Sequence, residues 1–198
     1  MMSLKKYILS KKPKKYLKQG ISHCGAYSVK AMLGACGLDT KARPEDYHLY
    51  GFNRIVGTTV GKDYYSKILN INGLKAETKT AEDLSEKEKL NLLKKLLGKD
   101  TPVMLRIGNG YLNNKYNPIF GKIAGHWITL WGYDDNTQTF YVYDSGLPER
   151  YWDKKLPIGN TTRAYQEILR DWNFGRYQFW SWLLAGISRF IYIDLSSN

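Results

Sequence analysis

The chain has 198 residues, 43% of them hydrophobic and 24% charged, enough for one domain with a real core and too few for two full ones. Two cysteines exclude a disulfide-rich scaffold, and no apolar run reaches the roughly 20 residues of a membrane helix. The net charge of +12 is concentrated at the start, where eight of the 30 basic residues and no acidic one precede Asp39.

Residues 1–18, with Pro13 among them, read as an extended basic arm. Such an arm attracts nucleic acid, anionic membrane or an acidic partner. Only Tyr7-Ile8-Leu9 stands between its lysines, so no signal peptide is visible and a cytoplasmic location is expected. Residues 19–198 are then expected to form a single domain. Residues 24–36 read as a helix, with Ala26, Val29, Met32, Leu33 and Cys36 at three- and four-residue steps and Gly37 as the stop. A second helix is predicted over 60–71, with Tyr64, Ile68 and Ile71 on one stripe. A short strand follows over 74–78. Thr80, with Asp83 three positions on, is expected to cap a third helix that carries Leu84, Leu90, Leu93 and Leu97 and stops at Gly98.

The second half changes period. Residues 102–107 read as a strand, 108–125 as a Gly- and Asn-rich loop, and 126–133 as a strand. The Asp134-Asp135-Asn136-Thr137 stretch is turn chemistry, and 139–144 returns as a strand. A helix is predicted over 161–172 and a last strand over 190–195. The aromatic run from Trp172 to Trp182 reads as core, or as a groove wall or interface. Helices lead and strands follow, which predicts an α+β fold.

Cys24 sits where a loop becomes a helix, a place that lowers a thiol pKa and favours the thiolate. Gly25 beside it is expected to let a substrate approach closely. A bridge between Cys24 and Cys36 is excluded, because twelve helical residues span ~18 Å and a disulfide needs Cα atoms within ~7 Å. With the hairpin turn centred near residue 136, Asp144 falls opposite residue 126 or 128. An even pairing sum puts 126, 128 and 144 on one face of the sheet. His126 and Asp144 then suit a base held by an orienting carboxylate, with the imidazole exchanging protons with the thiol. Gln19, five residues before Cys24, has an amide able to join the Cys24 N–H in holding an oxyanion. His23 is expected to be a bystander, and His48 has no partner pattern. The scattered Cys and His spacing does not make a zinc site, and the Gly57–Asp63 stretch lacks the spacing of a phosphate loop. No metal or other cofactor is called for.

Gln19-x4-Cys24-Gly25, followed by a helix ending Met-Leu-Gly-Ala-Cys-Gly, resembles the papain-superfamily peptidases that remove double-glycine leaders, and above all their stand-alone C39-like relatives. Gly125-His126-Trp127 through Asp134 resembles the histidine strand of that family, and Tyr143-Asp144-Ser145 its third catalytic position. The likeness runs from about 19 to 195. It implies a papain-like fold, with Cys24 as nucleophile, His126 as general base and acid, Asp144 as orienter and Gln19 as oxyanion donor. Gly125 and Trp127 are expected at the substrate, which would be a peptide or protein. His23 and Tyr27 depart from the family pattern, and no transporter segment follows. The same Cys-His-Asp set also serves acyl transfer of the transglutaminase type. A third alternative is a non-enzymatic basic module that binds nucleic acid or an acidic partner through the lysine arm.

Overall fold

The computed structural model describes residues 5–38, 42–57, 61–112, 115–175 and 188–195. Their chain order is β1 (Lys6–Ile8), α1 (Cys24–Ala35), α2 (Gly51–Val56), α3 (Tyr64–Ile71), β2 (Ala76–Thr80), α4 (Glu86–Leu97) and β3 (Val103–Gly108). There follow β4 (Tyr111–Leu112), β5 (Lys115–Tyr116), α5 (Pro118–Ile123), β6 (Gly125–Asp134), β7 (Thr139–Tyr143), β8 (Thr161–Ala164), α6 (Tyr165–Phe174) and β9 (Ile191–Leu195). Seven strands form one sheet in the order β2-β9-β3-β6-β7-β8, with β1 also on β6, and β4 pairs with β5 separately. Every pairing is antiparallel. The architecture is α+β.

The sheet separates two apolar clusters, as strand alternation requires. Val103, Leu105 and Ile107 pack with Leu93, Leu96 and Leu97 of α4 and with Ile168 and Trp172 of α6. Met104 and Trp127 join Ala26, Val29, Met32 and Leu33 of α1 in the other cluster, with Ile68 of α3 and Ile191 and Ile193 of β9.

Several boundaries differ from the sequence reading. The second helix begins at Tyr64, and its buried residues are Tyr64, Tyr65, Ser66, Ile68 and Leu69. Ile71, expected on its inner stripe, is 73% exposed. Thr80 does not cap a helix. It ends β2, paired with Ile191, and the cap of α4 is Ser85, whose hydroxyl accepts from the Glu88 N–H while Glu88 returns to the Ser85 N–H. The strand expected over 74–78 is shifted two residues by that pairing. The first four residues of the predicted 161–172 helix are strand β8, because β-branched Thr161 and Thr162 pair with Val142 and Tyr141. The 108–125 segment is not all loop. It holds β4, β5 and α5, with Asn117 Oδ1 capping α5 by accepting from Ile119 N (2.9 Å) and Phe120 N (3.3 Å). In the aromatic run, Trp172 is fully buried, and the part beyond 175 lies outside the described residues.

Residues 5–18 are extended and lie against the rest. Lys6, Tyr7 and Ile8 pair with Asp134, Tyr133 and Gly132, Asp100 accepts from Ser10 N at 2.8 Å, and the Tyr16 ring meets Tyr143 at 4.8 Å between centroids. Gly132 is required by this crossing, since a Cβ there would lie 2.4 Å from Tyr7 O.

Candidate active site

The helix α1 starts at Cys24, and its α-helical turn is entered through His23 in the left-handed region at φ 74°. Both cysteines are free thiols. Cys24, His126 and Trp127 line one cleft, where the His126 imidazole and the Trp127 backbone N–H both act on the Cys24 thiol. Desolvation opposes ionisation of the thiol. The His126 charge and hydrogen bond, the Trp127 N–H and the nearby Arg106 charge outweigh it, and the Cys24 pKa lies below the ordinary thiol value. Cys36 shows the contrast: burial pushes its pKa up.

His126 is on β6 and only 3% exposed. Its Nε2 lies 2.7 Å from Asp144 Oδ1, so Nδ1 is the nitrogen left for the Cys24 side. Burial works against its protonation, but Asp144 and the Cys24 thiolate prevail and push its pKa up to about 10. The other Asp144 oxygen receives Arg163 Nη2 at 2.6 Å, and Oδ1 also accepts from Gly146 N at 2.9 Å. Burial would raise the Asp144 pKa. His126, Arg163 and the Gly146 N–H hold it well below the usual carboxylate range instead.

The meeting of His126 and Asp144 depends on an irregularity in the hairpin. Near the turn, Asp134, Tyr133 and Gly132 face Thr139, Phe140 and Tyr141. Beyond it, Leu130 and Thr129 face Val142 and Tyr143, so Trp131 is an extra residue in β6. The bulge converts an odd pairing sum at the turn into an even one at the open end. Carried one step further, that register sets Asp144 opposite Ile128, on the face of His126. Without the bulge the carboxylate would point to the other face.

Gln19 is buried (8% exposed). Its N–H donates to Ser145 O at 3.0 Å, and Ser145 Oγ donates to Gln19 Oε1. That bond leaves the Gln19 Nε2 amide as the available donor. A cleft of about 270 Å³ opens over this group, lined among others by Gln19, His23, Cys24, Arg106, His126 and Trp127. Gly125 also lines it. Gly25 is placed differently: it is under the Tyr65 ring, where a Cβ would lie 2.1 Å from Tyr65 Cζ. The missing side chain serves helix packing there.

Five residues given no role of their own from the sequence belong to this site. Ser145 turns Gln19. Asn160 brackets Asp144, accepting from its N–H at 2.9 Å and donating to its carbonyl at 2.8 Å. Arg163 joins Asp144 to the fully buried Asp171, whose Oδ2 is 3.5 Å from Arg163 Nη1. Arg106, 6% exposed, places its guanidinium 5.6 Å from the Trp127 ring. A strand reading of 161–164 would have found Arg163, since it faces Phe140 on β7. His23, expected to be a bystander, and His48, assigned nothing from the sequence, face one another, Nδ1 to Nε2, at 3.0 Å.

Among the described residues, no group of three or more His, Cys, Asp or Glu is placed to hold a metal ion. No helix among them is long and apolar enough to cross a membrane. The sequence matches the model of the Peptidase_C39 like family over residues 12–171. No curated protein matches it.

Proposed function

The chain belongs to the Peptidase C39-like family, of papain-superfamily cysteine-peptidase type, and we propose that it cleaves peptide or amide bonds through a thioester on Cys24. The observation that carries this reading is the placement of Cys24 and His126 in one cleft, with His126 held by Asp144 at 2.7 Å. The depressed Cys24 pKa and raised His126 pKa favour a thiolate–imidazolium pair at neutral pH.

In this mechanism the thiolate attacks the substrate carbonyl carbon. The resulting oxyanion receives hydrogen bonds from the Cys24 N–H and the Gln19 Nε2 amide. The C–N bond then breaks, and His126 gives its proton to the departing amine, leaving an acyl group on Cys24. Water enters, His126 takes its proton, and hydroxide adds to the thioester carbonyl. Collapse expels the Cys24 thiolate and releases a carboxylic acid. Asp144 keeps the imidazole in one orientation and stabilises its charged form. An amine in place of water would make the reaction an acyl transfer.

The experiment is cleavage of a defined peptide library in ¹⁸O-labelled water, with and without an added primary amine, read by mass spectrometry. Hydrolysis places the label on new C-terminal carboxyls, and Cys24→Ala abolishes it. Amide products that form only with the amine indicate transfer. Labelled cleavage that persists in Cys24→Ala contradicts the mechanism.

A further inference from the structure

Beside the Cys24–His126–Asp144 group lies a second chain of polar contacts. The Tyr64 hydroxyl is 3.1 Å from His48 Nδ1, and His48 Nε2 is 3.0 Å from His23 Nδ1. His23 precedes Cys24 and lines the cleft. The chain is built from three separate stretches: the α1 entry, the segment after Asp46, and α3.

Its hydrogens are set by the far end. The Tyr64 oxygen accepts the Leu49 N–H at 2.9 Å, and among the described residues His48 Nδ1, at 3.1 Å, is the acceptor within reach of its own proton. The hydroxyl proton therefore points to His48 Nδ1. His48 must then carry its own proton on Nε2, and it donates to His23 Nδ1. Burial above all lowers the His48 pKa to about 4, so it transmits this polarity as a neutral ring. With its Nδ1 accepting from His48, His23 carries its ring proton on Nε2. That nitrogen has no hydrogen-bond partner among the described residues. The charged groups closest to the chain are Glu45, held by the Tyr27 hydroxyl at 2.6 Å, and Arg54.

We propose that His23 is a hydrogen-bond donor of the cleft, fixed by Tyr64 and His48 with its Nε2–H available to a carbonyl oxygen of the bound substrate. The proposal rests on the cysteine-peptidase reading of the same cleft. In it, His23 is a specificity residue, and His48 and Tyr64 are positioning residues. An N–H donor selects acceptors: it favours a peptide carbonyl and discriminates against a protonated amine at that point. His23, in the left-handed region, immediately precedes the nucleophile and lines the same cleft, and its Nδ1 contact with His48 fixes the ring.

Two measurements on the full chain test this. Long-range ¹H–¹⁵N correlation of the three histidines, at mildly alkaline pH, reads each tautomer directly. The expected result is an Nε2–H tautomer at both His23 and His48, with Tyr64→Phe producing a tautomer mixture at His48 and then at His23. A wild-type His23 with its proton on Nδ1, or tautomers that ignore Tyr64→Phe, overturns the proposal. The second measurement compares Cys24 modification by a peptidyl chloromethyl ketone, which carries peptide carbonyls, with modification by iodoacetamide. His23→Asn, chosen because Asn tolerates the left-handed region, should lower the ratio of the two rate constants by about ten-fold, the scale of one lost hydrogen bond. An unchanged ratio overturns the proposal and leaves the peptidase reading intact. Failure of wild-type Cys24 to react with either reagent removes both.

Discussion

Arg163 Nη2 lies 2.6 Å from Asp144 Oδ2, on the carboxylate oxygen that does not face His126. Asp144 thus has a cation on each side, and it stays ionised although only 4% exposed. Arg163→Met removes one of them and leaves Asp144 and Asp171 as buried carboxylates. Breaking a buried pair in this way costs roughly 3–5 kcal/mol. The Asp144 pKa should rise, and the acid limb of Cys24 alkylation should move to higher pH. Thermal unfolding and a pH–alkylation profile check both, and an unchanged melting temperature contradicts the assignment.

The His126 contribution to stability should follow pH with a defined sign. Its folded pKa is raised to about 10, above an unfolded value of about 6.5. The stabilisation is therefore complete below the unfolded value and fades as pH rises through the folded one. Asp144 behaves oppositely. Its folded pKa is depressed, so its contribution is present above an unfolded value of about 3.9 and is lost as pH falls through the folded value. Urea unfolding of wild type and His126→Gln across pH should show the largest gap between those two unfolded values. A gap that widens on going alkaline contradicts the pairing.

Ser145 presents Gln19 to the cleft by occupying its carbonyl oxygen. Gln19→Ala removes the proposed oxyanion donor and should lower kcat by about 10²–10³-fold. Ser145→Ala leaves the amide in place but able to turn, so its loss should be smaller, with kcat falling more than KM rises. A Ser145→Ala effect confined to KM contradicts this role.

Gly25 is a packing requirement. A Cβ there would meet Tyr65 Cζ at 2.1 Å, so Gly25→Ala should destabilise the chain by about 1–3 kcal/mol. Adding Tyr65→Leu should recover part of that loss. Denaturant unfolding of the single and double variants tests it, and additive effects contradict the contact.

What the sequence made legible follows from the range of the interactions involved. The helix from Cys24 and its stop near Gly37 (φ 74°) depend on neighbours a few residues apart. The Ser85–Glu88 capping box is equally local, and Thr80 displaced it only because β2 pairing with β9 cannot be seen from positions 76–80 alone. His126 and Asp144 were brought to one face by a two-residue alternation, yet the turn itself has the wrong parity. The Trp131 bulge supplies the missing residue, and no local pattern announces it. Arg163 and Asn160 reach Asp144 across β7 and β8. His23 and His48 meet although they lie 25 positions apart in the chain. Contacts of that kind exist only once the sheet and helices are assembled.

The central claim is an activated thiolate at Cys24 maintained by His126. Its most direct test is the rate of Cys24 alkylation by iodoacetamide as a function of pH, followed by mass spectrometry in wild type and His126→Ala. The account predicts rapid labelling of wild-type Cys24 in mildly acidic solution, collapsing in His126→Ala to the profile of an ordinary thiol with a pKa of about 8.5. Identical profiles in the two proteins, or a wild-type Cys24 that labels only in alkali, would contradict it.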